Sequence, residues 1–157
     1  FSKIFPHLKV SGKGIIKVRA SDNNKMLKRL SEDKLFIHEP TLRSLQGIVD
    51  LMDESFIDFK EYLKEPIYDT LILIPIRDEI VPRKPIIQIL RENKIKKNIN
   101  FSVYEDSFHM MLRDVNGDRV SNEIKNWIYN KNSLRNNYSF KDILDKLEKS
   151  PFYHKLD

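Results

Sequence analysis

No cysteine occurs anywhere in the chain. That excludes a disulfide framework and a thiolate metal site, and with them the class of small, disulfide-stapled secreted proteins. Glycine is nearly as scarce: Gly12, Gly14, Gly47 and Gly117 are the full set, and none belongs to a Gly-x-Ser-x-Gly pattern. That pattern builds the strained strand-to-helix elbow that exposes a serine nucleophile, so the elbow is absent from this sequence. Long hydrophobic runs are missing too. The longest, Leu71 to Ile76, falls far short of the roughly 20 apolar residues needed to cross a bilayer. The first residues, Phe1 to Pro6, have neither the apolar core of a signal peptide nor an initiator Met. The expectations are therefore no transmembrane segment, a cytoplasmic location, and a chain that begins inside a longer sequence.

Charge of one sign is not concentrated either. The 28 Lys and Arg exceed the 23 Asp and Glu by a formal +5, yet they are scattered, with Lys94, Lys96 and Lys97 as the densest cluster. A nucleic-acid groove needs its cations aligned on one face with aromatics among them, so a solvated loop is expected there and no nucleic-acid partner. His7, His38 and His154 lie at no ligand spacing from one another or from a carboxylate, and neither zinc nor any other cofactor is expected. Asp114-Val115-Asn116-Gly117-Asp118 resembles a calcium loop only in part. Its Gly falls at the fourth position instead of the sixth, and Lys125 stands where the closing Glu should be. A turn on Asn116-Gly117 is the expectation.

What the chain does contain is enough apolar residue for one domain: 157 residues, 40% hydrophobic and 32% charged. Residues 1–20 read as irregular, with a short extended run at Gly14–Val18. Ser21 and Asp22 are expected to cap a short helix bearing Met26, Leu27 and Leu30. Pro40 suits the first turn of a second helix, in which Leu42, Leu45, Ile48, Val49 and Met52 share a face, and the apolar pattern runs on through Phe56, Phe59, Tyr62 and Leu63. After Pro66 the period changes. Leu71–Ile76 reads as a buried strand, Pro85–Glu92 as a helix, and Ile99, Phe101 and Val103 as a second strand. Val120, Ile124, Trp127 and Ile128 mark another helix. A polar stretch at 131–137 precedes a last helix, capped by Ser139 and bearing Phe140, Ile143, Leu144 and Leu147, which could dock on the domain or on a partner. A strand–helix–strand unit of this length favours a parallel pair.

Two residues stand out in that frame. Asp78 follows the first strand and His109, 31 residues later, follows the second. Parallel neighbouring strands deliver their C-terminal ends to one edge of the sheet, where open α/β folds place their ligands. An acid and a base there can be the last two members of a Ser…Asp…His triad, whose carboxylate orients the imidazole that takes the serine proton. The plainer alternative is a loop-capping Asp and a satisfied polar His. Met52, Met110 and Met111 could line an acyl pocket, or simply pack in the core.

The stretch from Asp69 through Leu71-Ile72-Leu73-Ile74-Pro75-Ile76-Arg77-Asp78 to Pro82 resembles the acid-bearing strand and loop of the serine aminopeptidase (S33)-like α/β-hydrolases, a group that includes monoacylglycerol lipases and lysophospholipases. Tyr104 to Asp114 is similar to their histidine loop, and Ser21-Asp22-Asn23, Met26-Leu27 and Gly47 to Asp53 resemble the lid region of bacterial members. The resemblance implies an α/β fold, the C-terminal part of an α/β-hydrolase with parallel strands and crossover helices, preceded by a helical lid. It covers roughly residues 1–130 and divides them into a lid or cap region at 1–65 and a segment at 66–130 carrying the acid and His loops, to which the residues themselves add a polar linker with an appended helix at 131–157. It makes Asp78 the triad acid and His109 the general base. The implied partners are a small lipid or ester substrate and an N-terminal half of the fold that supplies the serine and the oxyanion hole. Pro75 departs from the family, which usually has Gly after the acid-bearing strand. The rival expectation is a non-catalytic remnant of a split hydrolase gene, or a protein-interaction module.

Overall fold

A computed structural model describes residues 2–11, 18–93, 96–130 and 138–150. Most of the extended run expected at 14–18 lies outside them, as do Lys94, the stretch at 131–137 and His154. The elements run α1 (Asn24–Glu32), α2 (Leu42–Lys64), β1 (Thr70–Pro75), α3 (Arg83–Glu92), β2 (Ile99–Tyr104), a 3₁₀ turn at Met111–Arg113, α4 (Gly117–Tyr129) and α5 (Phe140–Lys149).

β1 and β2 pair in parallel, from Thr70 opposite Ile99 to Pro75 opposite Tyr104. Parallel pairing requires a crossover, which α3 supplies, and it brings the two strand ends level. Pro75 is the last residue of β1, where a missing N–H costs the ladder least. Side chains alternate across β2. Phe101 and Val103 enter a core with Leu63, Ile74, Ile87, Ile89 and Leu90. Ser102 and Tyr104 point the other way, and both hydroxyls donate to Glu123 of α4, at 2.5 and 2.7 Å. The expected apolar/polar alternation is therefore present, but both faces are buried. Ser102 is 0% and Tyr104 1% exposed, because Glu123 accepts the hydrogen bonds that buried hydroxyls require.

α5 completes that core. Ser139 forms a capping box with Asp142, and hydrogen bonding from Ser139 holds the Asp142 carboxyl below the usual carboxylate range. Ile143 and Leu147 are essentially fully buried in the same cluster, a contribution of about 1.5–3 kcal/mol each. The last helix thus docks on this chain's own core.

Three local expectations need correction. Asn23, not Ser21 or Asp22, caps α1, its side chain accepting from the Met26 N–H at 3.0 Å. Thr41 caps α2 through the Ser44 N–H, so Pro40 precedes the cap, and the helix runs unbroken to Lys64. Asn116 is the N-cap of α4 and Gly117 its first residue, so the expected turn leads straight into a helix. Gly117 is required by proximity: a Cβ there would stand 2.5 Å from the Leu112 carbonyl oxygen.

Candidate active site

Asp78 and His109 meet at the C-terminal edge of the two strands. His109 Nδ1 lies 2.9 Å from Asp78 Oδ2. A carboxylate only accepts, so Nδ1 carries the proton in this pair and Nε2 is the basic nitrogen. Asp78 is held from its other side: Oδ1 accepts the N–H groups of Ile80 at 2.8 Å and Val81 at 3.0 Å. This local turn explains why Asp follows the strand here, since Asp readily hydrogen-bonds backbone two and three residues on. The Asp78 side chain is 11% exposed and that of His109 39%. The acid is enclosed while the base remains reachable.

The loop carrying His109 is tied to its surroundings at several points. The Arg77 N–H donates to the Ser107 carbonyl at 3.0 Å, linking the loops that carry Asp78 and His109 directly. Glu105 pairs with Lys146 of α5, and that bond raises the Lys146 ammonium above its ordinary value. Asp106 accepts from Arg119 of α4 at 2.6 Å. Burial works to raise the Asp106 carboxyl, but the Arg119 hydrogen bond and charge outweigh it and leave the group below its usual range. Phe108 is buried, with the guanidinium groups of Arg19 and Arg77 at 4.9 and 5.9 Å from its ring centre.

Sequence reasoning missed a set of residues that reaches this loop from far upstream. Ser21 Oγ donates to Asp114 Oδ1 at 2.6 Å, and Asp114 Oδ2 accepts the Phe108 N–H at 2.8 Å. The Met110 N–H donates to the Ala20 carbonyl, Asn23 Nδ2 to the Arg113 carbonyl, and the Val115 N–H to Asp22. The Arg19 N–H donates to Glu79, the residue after Asp78. The signal in the sequence was the Ser21-Asp22-Asn23 run itself, whose polar side chains serve equally well as helix caps, and no local rule shows which use prevails.

A cavity of about 270 Å³ adjoins the pair, lined by His109, Met110, Met111, Leu112 and Arg113. Met52 does not contribute to it; on α2 it is 44% exposed. A larger cavity of about 680 Å³, between Arg77, Arg119, Tyr138 and Lys146, touches neither Asp78 nor His109, so chemistry and not volume locates the site. Among the described residues no three His, Asp or Glu side chains cluster so as to hold a metal ion, and no helix is long and apolar enough to cross a membrane. His7 and His38 are exposed, and Lys96 and Lys97 are exposed before β2.

No curated protein matches the sequence. Among solved structures the chain is similar to the monoacylglycerol lipase of Paleococcus ferrophilus, at 21% identity and a TM-score of 0.62, over 81% of this chain and 48% of that one. The chain thus spans about half the length of the lipase, and at this identity the likeness is one of fold. Residues 1–116 match the family described as serine aminopeptidase, S33. The chain belongs to the S33 serine aminopeptidase family of α/β-hydrolases and carries part of that fold.

Proposed function

We propose that this chain supplies the acid and the general base of a serine ester hydrolase of the lysophospholipase or monoacylglycerol lipase type. The observation that carries the reading is the 2.9 Å contact between His109 Nδ1 and Asp78 Oδ2 at the C-terminal edge of a parallel strand pair, in a member of the S33 family. In this reading residues 1–65 are the lid or cap, 66–130 bear the acid and base loops, and 131–157 are the linker and final helix. The serine, on its elbow, and the oxyanion donors come from an N-terminal half outside these residues, since the chain has no Gly-x-Ser-x-Gly.

His109 Nε2 takes the proton of the serine hydroxyl as the oxygen bonds to the ester carbonyl carbon. Asp78 stabilises the imidazolium that results. The tetrahedral adduct collapses with departure of the alcohol, which receives that proton from Nε2, and the acyl-enzyme is then hydrolysed by a water that the same nitrogen deprotonates. The Met110, Met111 and Leu112 lining beside His109 is apolar, as an acyl chain requires, and this supports a lipid ester as substrate. A cytoplasmic location belongs to the same proposal.

Hydrolysis of a nitrophenyl ester and of a medium-chain monoacylglycerol tests it, with the chain alone beside a protein in which it is joined to a serine-bearing N-terminal half. The chain alone should be inert, for its sequence has no Gly-x-Ser-x-Gly elbow to present an attacking serine. The joined protein should turn over both esters and lose about 10⁴-fold in kcat on His109→Ala. Turnover by the chain alone that disappears in His109→Ala would reveal a nucleophile within it. Indifference of the joined protein to that substitution would overturn the assignment.

A further inference from the structure

Ser21 and Asp114 form a buried pair directly behind the base loop. Ser21 is 0% and Asp114 7% exposed, and every oxygen of the pair is engaged. Ser21 Oγ donates to Asp114 Oδ1 at 2.6 Å while accepting the Asn23 N–H at 3.2 Å. Asp114 Oδ2 accepts the N–H of Phe108 at 2.8 Å, and Phe108 is the residue immediately before His109. A buried carboxylate is costly unless its oxygens are hydrogen-bonded, and here the bonds run to the segment at 20–23 on one side and to the His loop on the other. The same segment is fastened to the far end of that loop by the Met110 N–H on the Ala20 carbonyl at 2.8 Å. His109 is therefore clamped on both flanks, at 108 and at 110, by groups more than eighty positions upstream or by the carboxylate that those groups engage.

We infer that Ser21 and Asp114 are positioning residues for His109: their hydrogen bond fixes the Phe108 amide and thereby aims the His109 ring so that Nδ1 meets Asp78. This rests on the reading of His109 as the base. Neither side chain touches the reacting atoms. Hydrogen bonds to a charged acceptor are among the stronger ones in a protein, and removing one partner leaves the other buried and unpaired. Asp114→Asn replaces one acceptor with a donor, so Ser21 and Phe108 can no longer both be satisfied as before. Ser21→Ala is milder, removing one hydroxyl.

The experiment measures the tautomer of His109 by long-range ¹H–¹⁵N correlation in the chain with its four histidines ¹⁵N-labelled, using His109→Gln to assign the signal and thermal unfolding to follow stability. The wild type should hold His109 as the Nδ1–H tautomer, and Asp78→Asn should abolish that preference. Asp114→Asn and Ser21→Ala should lower the Nδ1–H to Nε2–H ratio at least about fivefold while a dispersed, folded spectrum persists. An unchanged ratio in a folded variant overturns the positioning role. Loss of the folded spectrum in both variants overturns it too, because the pair then serves the fold at large and not His109. A wild type already in the Nε2–H form contradicts the Asp78–His109 pairing itself, which separates failure of the base assignment from failure of this inference.

Discussion

β1 and β2 are neighbours of equal length, and their fates differ in the direction opposite to their composition. β1, Thr-Leu-Ile-Leu-Ile-Pro, is the more apolar, yet only Ile74 within it is buried; β2, Ile-Asn-Phe-Ser-Val-Tyr, is buried at every position but Asn100. The same contrast separates the helices. α5 has ten residues and sinks Ile143 and Leu147 completely, whereas α2, at 23 residues, buries only Leu63 and leaves Ile48, Val49 and Leu51 between 50 and 62% exposed. Hydrophobicity alone does not bury a residue; a covering surface must be present. β2 has α4 on one face and α3 with α5 on the other, while among the described residues β1 has no second strand beside it. An uncovered, apolar strand edge is an aggregation hazard that proteins ordinarily pair or cover. In the proposed reading, the serine-bearing half covers β1, and the apolar stripe of α2 faces the catalytic edge or that half.

The largest effect that would sharpen this contrast is in stability. Phe101→Ala, at 3% exposure in the core, should lower unfolding free energy by about 3–5 kcal/mol. Val49→Ala, on the uncovered face of α2, should change it by no more than about 0.5 kcal/mol. Urea titrations of the two variants make the comparison, and equal losses would mean that α2 is as well packed as β2.

A smaller effect concerns the closed face of β2. Burial, and the Glu123 carboxylate that its hydroxyl donates to, push the Tyr104 phenol up to about 12, above the value near 10 of an unfolded tyrosine. A group raised on folding contributes stability in full below its unfolded value and loses it as pH rises through the folded one. Stability should therefore fall between about pH 10 and 12, and ultraviolet titration should show one phenol ionising with the unfolding transition. In Tyr104→Phe that contribution should vanish. If all phenols titrate together near 10 in the folded protein, the tight packing of β2 against α4 is contradicted.

Much of this architecture was legible in the residues. The switch from helical to strand periodicity after Pro66, the alternation at Ile99, Phe101 and Val103, and the Ser139 cap are local signals, and local signals survive into the fold. The positions of Asp78 and His109 were legible for the same reason, each lying just past a strand. What the sequence concealed was long-range. Ser21 and Asp22 have the chemistry of helix caps, and only a contact with Asp114 and Val115, more than ninety positions away, diverts them from that use. Glu123, which satisfies Ser102 and Tyr104, sits on a helix whose apolar pattern alone was visible. The docking of α5 is not legible in its residues, because an apolar stripe does not name its partner.

In the proposed function, Asp78 and His109 activate a serine held elsewhere. The most direct measurement is the rate at which a fluorophosphonate labels that serine when the chain is joined to a serine-bearing N-terminal half, for wild type, His109→Ala and Asp78→Asn. Labelling depends on removal of the serine proton and does not depend on which ester the enzyme prefers. The wild type should label rapidly and stoichiometrically, and both variants should be slower by about 10³-fold or more; labelling of His109→Ala at the wild-type rate would show that His109 does not activate the serine.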